Sequence, residues 1–337
     1  MKTNLAFGAV LLLSLFALNS CNDFADSPYP TLKVEQVYTA PGLARATATS
    51  FVIDGNAYIT LGRPGGNHTK SITDCWQFNP TNNTWIRKAD FPGYGRVGAI
   101  AEVIDGKAYV GLGYNSDLGV YASDTTIFSD FRVYDPGLDN WTPRASFPSK
   151  AGSKDAPVNS CSSFTYKNRI YLFALSAQTF MSKEVWRYDA SNNKWEQMAD
   201  FPGEARTAAV SCTDGNHFYY GLGTGNKNDW WEYFPETDKW KKRCPMPGNG
   251  RVNAVALSVN HRFFVATGRH MGGSLTTGRF FNDIVEYDAA KDTWYKRGTI
   301  PTAGRENAIG FVIGNKAFIG FGETDEIRFN DLWSFEP

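Results

Sequence analysis

The 337-residue sequence predicts an all-β fold: a six-bladed β-propeller of four-stranded antiparallel blades, closed by an amino-terminal strand that completes the last blade. The first observation behind this is an internal repeat. Six stretches share one template: Arg, then Ala three places on and a small residue five places on, a turn at Asp-Gly or a substitute, and a Tyr or Phe strand ending near Gly-Leu-Gly. Asp-hydrophobic-aromatic, a Trp and Phe-Pro or a variant complete it. The second is spacing. Trp85, Trp141, Trp195, Trp240 and Trp294 lie 56, 54, 45 and 54 residues apart, a period of about fifty that suits propeller blades. The third is an incomplete last copy: it starts at Arg305, breaks off after Phe335 and lacks its Trp-bearing strand. Lys33 to Pro41 precedes Arg45 as Trp85 to Pro92 precedes Arg96, with Val34 in the Trp place. The two chain ends therefore share one blade, and the ring exposes no open sheet edge.

Within a copy, Ala48, Ala99, Cys161, Ala209, Ala254 and Ala308 alternate with Ser50, Ala101, Ser163, Ser211, Ala256 and Gly310. Both sets project from one face of the strand, and this small-residue line marks the strand nearest the axis, where larger groups would crowd. Ala57-Tyr58-Ile59, Ala108-Tyr109-Val110, Ile170-Tyr171-Leu172, Phe263-Phe264-Val265 and Ala317-Phe318-Ile319 suit the half-buried second strand. The fourth-strand Trp is expected between blades, its N–H on a local acceptor.

The stretch before the repeats reads differently. Residues 1–20 form an export signal, with Lys2 as positive start and an apolar run from Leu5 to Leu18 too short to span a bilayer. Leu18-Asn19-Ser20-Cys21 resembles a bacterial lipobox, which implies lipid on the Cys21 thiol; an ordinary signal with an incidental Cys would leave a soluble periplasmic protein. The lipobox reading makes the chain a cell-envelope protein, a bacterial outer-membrane lipoprotein facing the periplasm or the cell surface. Residues 21–30 then read as a polar tether, with Asp23 and Asp26 keeping it solvated, and 31–337 as the propeller. Cys75, Cys161, Cys212 and Cys244 lack metal or redox spacing and read as small buried hydrophobes. With 34 basic and 34 acidic residues and no basic stripe, nucleic acid is excluded as a partner. A monomer is expected.

Connection lengths locate the functional face. Asn79 to Trp85, Asp135 to Trp141, Asp189 to Trp195, Phe234 to Trp240 and Asp288 to Trp294 are equal, whereas the second-to-third connection runs from Thr224 to Lys227 in one copy and Tyr114 to Phe128 in another. The fourth-to-first connection swells at Ser149 to Pro157. Antiparallel order gathers the variable connections on one face of the disc, where repeat proteins place their binding sites.

The template resembles the Kelch repeat over essentially all of Thr31 to Pro337. The carrying residues are Gly111-Leu112-Gly113, Leu222-Gly223, Asn330 to Trp333, Asn228 to Trp231 and the spaced Trp residues. The resemblance implies a binding propeller that takes ligands on the variable-loop face, and it also covers sugar oxidases and sugar epimerases. A galactose-oxidase-like copper site needs two His and two Tyr ligands with a Cys cross-link, and this chain has four His and no suitable Cys near the mouth. No cofactor and no metal are expected.

Two sets of residues on that face are candidates for ligand contact. Arg45, Arg96, Arg206, Arg251 and Arg305 enter five inner strands, with Val158 in that place in blade 3. They either form an anion funnel or pair with Asp74, Asp130, Asp229, Asp283 and Asp331, and repetition in nearly every copy favours the scaffold role. The unrepeated residues Arg63, His68, Tyr114, Tyr121, Arg269, His270, Glu323 and Arg328, with Asn253 and Asn307, suit polar, hydroxyl-rich or anionic ligands. The leading expectation is a membrane-anchored module that binds a glycan or protein without chemistry. The alternative, implied by resemblance to N-acetylneuraminate epimerases, is an epimerase or mutarotase acting on an acidic sugar such as sialic acid, with Glu306, Glu204, His68 or His270 moving the proton. A deep mouth with a carboxylate or His beside two arginines would favour the enzyme, and a shallow surface the binding module. Glu102 stands where other copies carry Phe51, Cys212, Leu257 and Phe311, and is expected to be a buried acid.

Overall fold

The computed structural model describes residues 23–39, 44–65, 70–115, 127–148, 161–173, 176–177, 180–273 and 278–337. Six four-stranded antiparallel sheets are arranged as blades. Each runs outward from an inner strand: Thr49–Ile53, Ile100–Ile104, Ser162–Tyr166, Val210–Thr213, Val255–Val259 and Ile309–Ile313 in blades 1 to 6. Inner strands of neighbouring blades touch all round the ring. The Tyr and Phe residues predicted for the second strands, among them Tyr58, Tyr109, Tyr171, Phe264 and Phe318, are buried between blades.

The ring closes as predicted. Glu35–Thr39 pairs antiparallel with Asp331–Phe335 and becomes the outer strand of blade 6. Val34 lies one residue beyond the Glu35–Ser334 pair and packs on the cluster containing Leu32 and Phe335, so it occupies the place that Trp takes elsewhere. A bulge between Gln36 and Tyr38 is the one irregularity in this pairing.

Conserved side chains of the repeat weld blade to blade. The fourth-strand indoles do lie between blades, but three of them find acceptors that are not local, and Trp85 and Trp240 have none among the described residues. Trp141, Trp195 and Trp294 donate Nε1 to the carbonyls of Ala89, Ala145 and Cys244, each at 2.9 Å and each 50 to 52 residues back on the preceding blade. Ala89, Ala145 and Cys244 then donate their N–H to Asp139, Asn193 and Asp292, in the tight turn just before those Trp residues. The same oxygens accept the hydroxyls of Tyr134, Tyr188 and Tyr287 at 2.6 to 2.7 Å. Each of these turn residues sits at positive φ, which Asn and Asp tolerate better than bulkier side chains. A side chain that shapes its own turn and caps a neighbour's backbone explains the fixed length of this connection.

The segment expected to be a polar tether is bound from Phe24 onward. Ala25 N–H donates to Trp294 O at 3.0 Å and Leu32 N–H to Arg297 O at 2.7 Å, so the segment follows the outer strand Thr293–Thr299 of blade 5. Tyr29 covers the Arg262 guanidinium at 4.1 Å, and Phe24 packs against the core between blades 4 and 5. These aromatic contacts outweigh the solvation supplied by Asp23 and Asp26. Residues 1–20 and Cys21, with the export signal and lipid anchor expected there, lie outside the described residues. Among the described residues no helix is long and apolar enough to cross a membrane.

Candidate functional site

Geometry separates the two sets of arginines. Arg45, Arg96, Arg206, Arg251 and Arg305 are only 1 to 2 % exposed. Each grips the Asp that opens the third strand of its own blade through both terminal nitrogens: Asp74 at 2.7 and 3.0 Å, Asp130 at 2.5 and 3.2 Å, Asp283 at 2.6 and 3.0 Å, and likewise Asp229 and Asp331. Nη1 also donates to the carbonyl sixteen residues on, that of Leu61, Leu112, Leu222, Thr267 or Phe321. Those residues adopt positive φ, which turns the carbonyl toward the guanidinium and explains the Gly-Leu-Gly strand ends. Trp76, Trp231 and Trp333 donate Nε1 to the same carboxylates at 2.8 to 2.9 Å. Burial pushes the carboxyls of Asp74, Asp229 and Asp331 up, but the hydrogen bonds and charge of their arginines, with the indole N–H, outweigh it and hold them below the ordinary value of 3.8. The five arginines are thus committed to their own blades, the role that repetition favours, and the alternative of an anion funnel is not built from them.

The unrepeated residues do converge, at the mouth of the disc on blades 5, 6 and 1. A cavity of about 660 Å³ is lined by Arg63, Glu306, Glu323, Asp325, Glu326 and Arg328, among others. Glu306 and Glu323 exchange both backbone hydrogen bonds at 2.9 Å, so their side chains project to the same side as direct cross-strand neighbours. Asn253 and Asn307, at φ 52° and 57°, are links in a backbone chain that runs from blade to blade. Asn253 N–H donates to Ala208 O at 3.0 Å, Asn307 N–H to Asn253 O at 3.1 Å and Thr47 N–H to Asn307 O at 3.0 Å. Their side-chain amides reach the two acids: Asn253 Nδ2 to Glu306 Oε2 at 2.7 Å and Asn307 Nδ2 to Glu323 Oε1 at 3.0 Å.

The two acids differ in what remains open. Glu323 accepts from Arg63 Nη2 on both oxygens at 2.9 Å, from Arg328 Nε at 2.9 Å and from Asn307, which occupies its four lone-pair positions. Glu306 accepts one bond per oxygen, Arg269 Nη1 at 3.2 Å and Asn253, and so keeps two acceptor positions. It is 9 % exposed, at the cavity wall. Tyr114 of blade 2 lies within the fields of Arg63 and Glu323; burial pushes its phenol up, so the hydroxyl keeps its proton at neutral pH.

Other candidates lie apart. Glu204 is exposed at the rim of blade 4 in a 2.5 Å ion pair with Lys227, and is corrected from proton-transfer candidate to surface residue. His270 points Nδ1 at the Gly250 carbonyl, 2.9 Å away, and is not among the cavity walls. His68, Tyr121 and Val158 lie outside the described residues. Glu102 accepts Ser163 Oγ at 2.7 Å and Thr165 Oγ1 at 2.8 Å from blade 3; burial pushes its carboxyl up and the two hydroxyls pull it back, so it bridges inner strands. Cys75, Cys161, Cys212 and Cys244 carry free thiols, and burial pushes those of Cys75 and Cys161 up to about 12, which leaves them unreactive. Asp325 was missed by sequence reasoning, although the charge density of Glu323-Thr-Asp-Glu-Ile-Arg328 is its signal. Among the described residues no group of three or more His, Cys, Asp or Glu is placed to hold a metal ion.

Known proteins bear on this arrangement. No protein-family model matches the chain. It is 26% identical over 178 residues to an N-acetylneuraminate epimerase of Escherichia coli O9:H4, and 27% identical over 179 residues to N-acetylneuraminate epimerase 2 of Escherichia coli O6:H1. A Shigella flexneri N-acetylneuraminate epimerase is likewise 26% identical over 178 residues. Each match covers 52% of this chain and 41% of the relative, so the chain spans about two-fifths of the length of the curated relatives it matches. The solved structure titled "Structure of YjhT" superposes with a TM-score of 0.72 at 19% identity, covering 88% of this chain and 95% of that one, a likeness of fold. The chain is thus a six-bladed β-propeller with distant similarity to the N-acetylneuraminate epimerases, Kelch-type propellers.

Proposed function

We propose that the protein binds a free sugar in the mouth cavity between blades 6 and 1 and exchanges its anomers. The observation that carries this reading is Glu306: a carboxylate with open acceptor positions in the wall of a cavity large enough for a sugar ring, beside guanidiniums held by their own ion pairs. A carboxylate beside paired guanidiniums supports the enzyme reading, and so does the similarity to N-acetylneuraminate epimerases. In the reaction Glu306 takes the proton of the anomeric hydroxyl, and that O–H electron pair becomes the second bond of a carbonyl. The bond from the anomeric carbon to the ring oxygen breaks as the ring oxygen receives a proton from a solvent water. Rotation of the opened carbonyl and the reverse steps give the other anomer.

The test is saturation-transfer NMR of anomer exchange over a panel of free sugars. Glu306→Gln keeps the size and shape of the side chain and an amide oxygen that accepts from Asn253 or Arg269, but it cannot take a proton. Exchange is expected to fall about a hundred- to ten-thousandfold with sugar binding retained. Undiminished exchange in this variant, or binding in the parent chain with exchange no faster than in buffer, refutes the chemistry and leaves a sugar-binding module.

A further inference from the structure

We infer that Asp325 is a specificity-determining residue that fills the carboxylate place on Arg269, so that the mouth selects neutral sugars over acidic ones; this rests on the sugar-exchange reading above. Arg269 is 4 % exposed and stacks 4.6 Å from the Phe280 ring, which fixes its planar fork. Asp325 meets that fork with both oxygens, Oδ1 to Nη1 at 2.8 Å and Oδ2 to Nη2 at 3.0 Å. This is the geometry by which an arginine binds the carboxylate of a ligand. Here the chain supplies the carboxylate itself.

The other two guanidiniums are committed in the same way. Arg63 holds both oxygens of Glu323, and Arg328 divides its donors between Glu323 and the Pro64 carbonyl, 2.9 Å each. Four carboxylates of the cavity wall, Glu306, Glu323, Asp325 and Glu326, thus stand against two guanidiniums of the wall, Arg63 and Arg328, and the buried Arg269 behind Glu306 and Asp325, an excess of one negative charge among the described residues. An acidic sugar entering the cavity either displaces an existing ion pair or lies beside like charge. The hydroxyls of a neutral sugar meet no such penalty, since Glu306 keeps acceptor positions for them.

The experiment uses matched pairs that differ by a carboxylate: glucose and glucuronate, galactose and galacturonate, N-acetylmannosamine and N-acetylneuraminate. Binding is read by titration calorimetry and anomer exchange by NMR. The parent chain is expected to favour the neutral member of a pair by at least about tenfold. Asp325→Asn removes the charge and one of the two acceptors on the Arg269 fork and is expected to strengthen the acidic member about five- to tenfold relative to the neutral one. The side chain is 48 % exposed, and the folded state is checked by melting temperature. Glu326→Gln, which removes one charge away from the fork, should improve the acidic member less. A preference of the parent chain for acidic sugars, or an Asp325→Asn chain that binds them no better, overturns the inference while the sugar-exchange reading stands. Failure of every sugar in both classes overturns that reading and this inference with it.

Discussion

Asp74→Asn isolates the interaction on which the scaffold most depends. Asp74 offers its two oxygens to Arg45 at 2.7 and 3.0 Å and one of them also to Trp76 Nε1 at 2.8 Å. Asn keeps the shape but replaces one oxygen with NH₂, so a donor confronts either the guanidinium or the indole. The charge balance is lost as well, and Arg45 is only 2 % exposed. Removing one partner of a buried pair costs about 3–5 kcal/mol, and the partly hydrated Asp74 carboxylate places this case near the lower figure. With an unfolding entropy of about 2.1 cal/mol/K per residue over roughly 300 residues, that cost lowers the melting temperature by about 5–8 °C. An exposed ion pair supplies the control: Asp90 accepts from Arg87 at 2.6 Å with both side chains about half exposed, so Asp90→Asn should cost less than about 1 kcal/mol. Thermal and urea unfolding followed by fluorescence of the ten tryptophans reads both variants. Equal losses, or an Asp74→Asn cost below about 1 kcal/mol, refute the account of the repeated arginines as scaffold.

Acid should unfold the protein through the same carboxyls. Asp74, Asp229 and Asp331 are held below the ordinary value of 3.8 in the fold, so the stability they contribute is fully present above that value and is lost as pH falls through their folded values; Glu102, pushed up by burial, opposes this slightly. Urea midpoints are therefore expected to stay level from neutrality to about pH 5 and to fall steeply below the ordinary Asp range, and a fall that begins near neutrality contradicts the assignment. Gly322→Ala places a methyl at φ +87°, 2.6 Å from the Glu306 carbonyl oxygen. It should cost about 1–3 kcal/mol by urea unfolding and reduce sugar exchange, because the strain falls on the backbone that presents Glu306.

The sequence revealed the fold because its information is periodic. Five spaced Trp residues, six small-residue lines and one missing strand admit a single closed ring, and Val34 beside Phe335 confirms where the ends meet. Partnership between copies was harder to read. The Trp141 acceptor lies 52 residues back, and no local pattern distinguishes a bond within a blade from one across to the preceding blade. The five arginines and their aspartates were both legible as repeats, which is why the scaffold role could be weighed against the funnel. The candidate site was legible only by contrast. Arg63, Tyr114, Asn253, Arg269, Glu306 and Asn307 stand out as departures from the template, but which departures converge depends on loop paths that a repeat does not encode. Glu204 and Glu306 each adjoin a template arginine, Glu204 two places before Arg206 and Glu306 directly after Arg305, yet one ends on the rim and the other in the cavity wall. The bound strap from Ala25 to Leu32 was hidden because it belongs to no repeat and its aromatics, Phe24 and Tyr29, are sparse.

The cavity also lies on the seam where the ring closes. Arg63 and Pro64 belong to the first blade, Glu323 and Arg328 to the last, and the ion pairs and carbonyl contact among them join the two across the mouth. Beneath them Gly322 N–H donates to Arg45 O at 2.9 Å and Arg45 N–H to Phe329 O at 3.2 Å. The outer strand Glu35–Thr39 closes the same junction at the rim. The junction is therefore clasped at both radii, by a backbone ladder outside and by side-chain charges inside. Only the inner clasp touches the cavity, so Arg63, Glu323 and Arg328 answer to two constraints, holding the ring shut and shaping the mouth. Asp325 answers to one. It is half-exposed, contributes nothing to closure and sits on the fork of Arg269, which makes it the position at which ligand preference can change without loosening the ring.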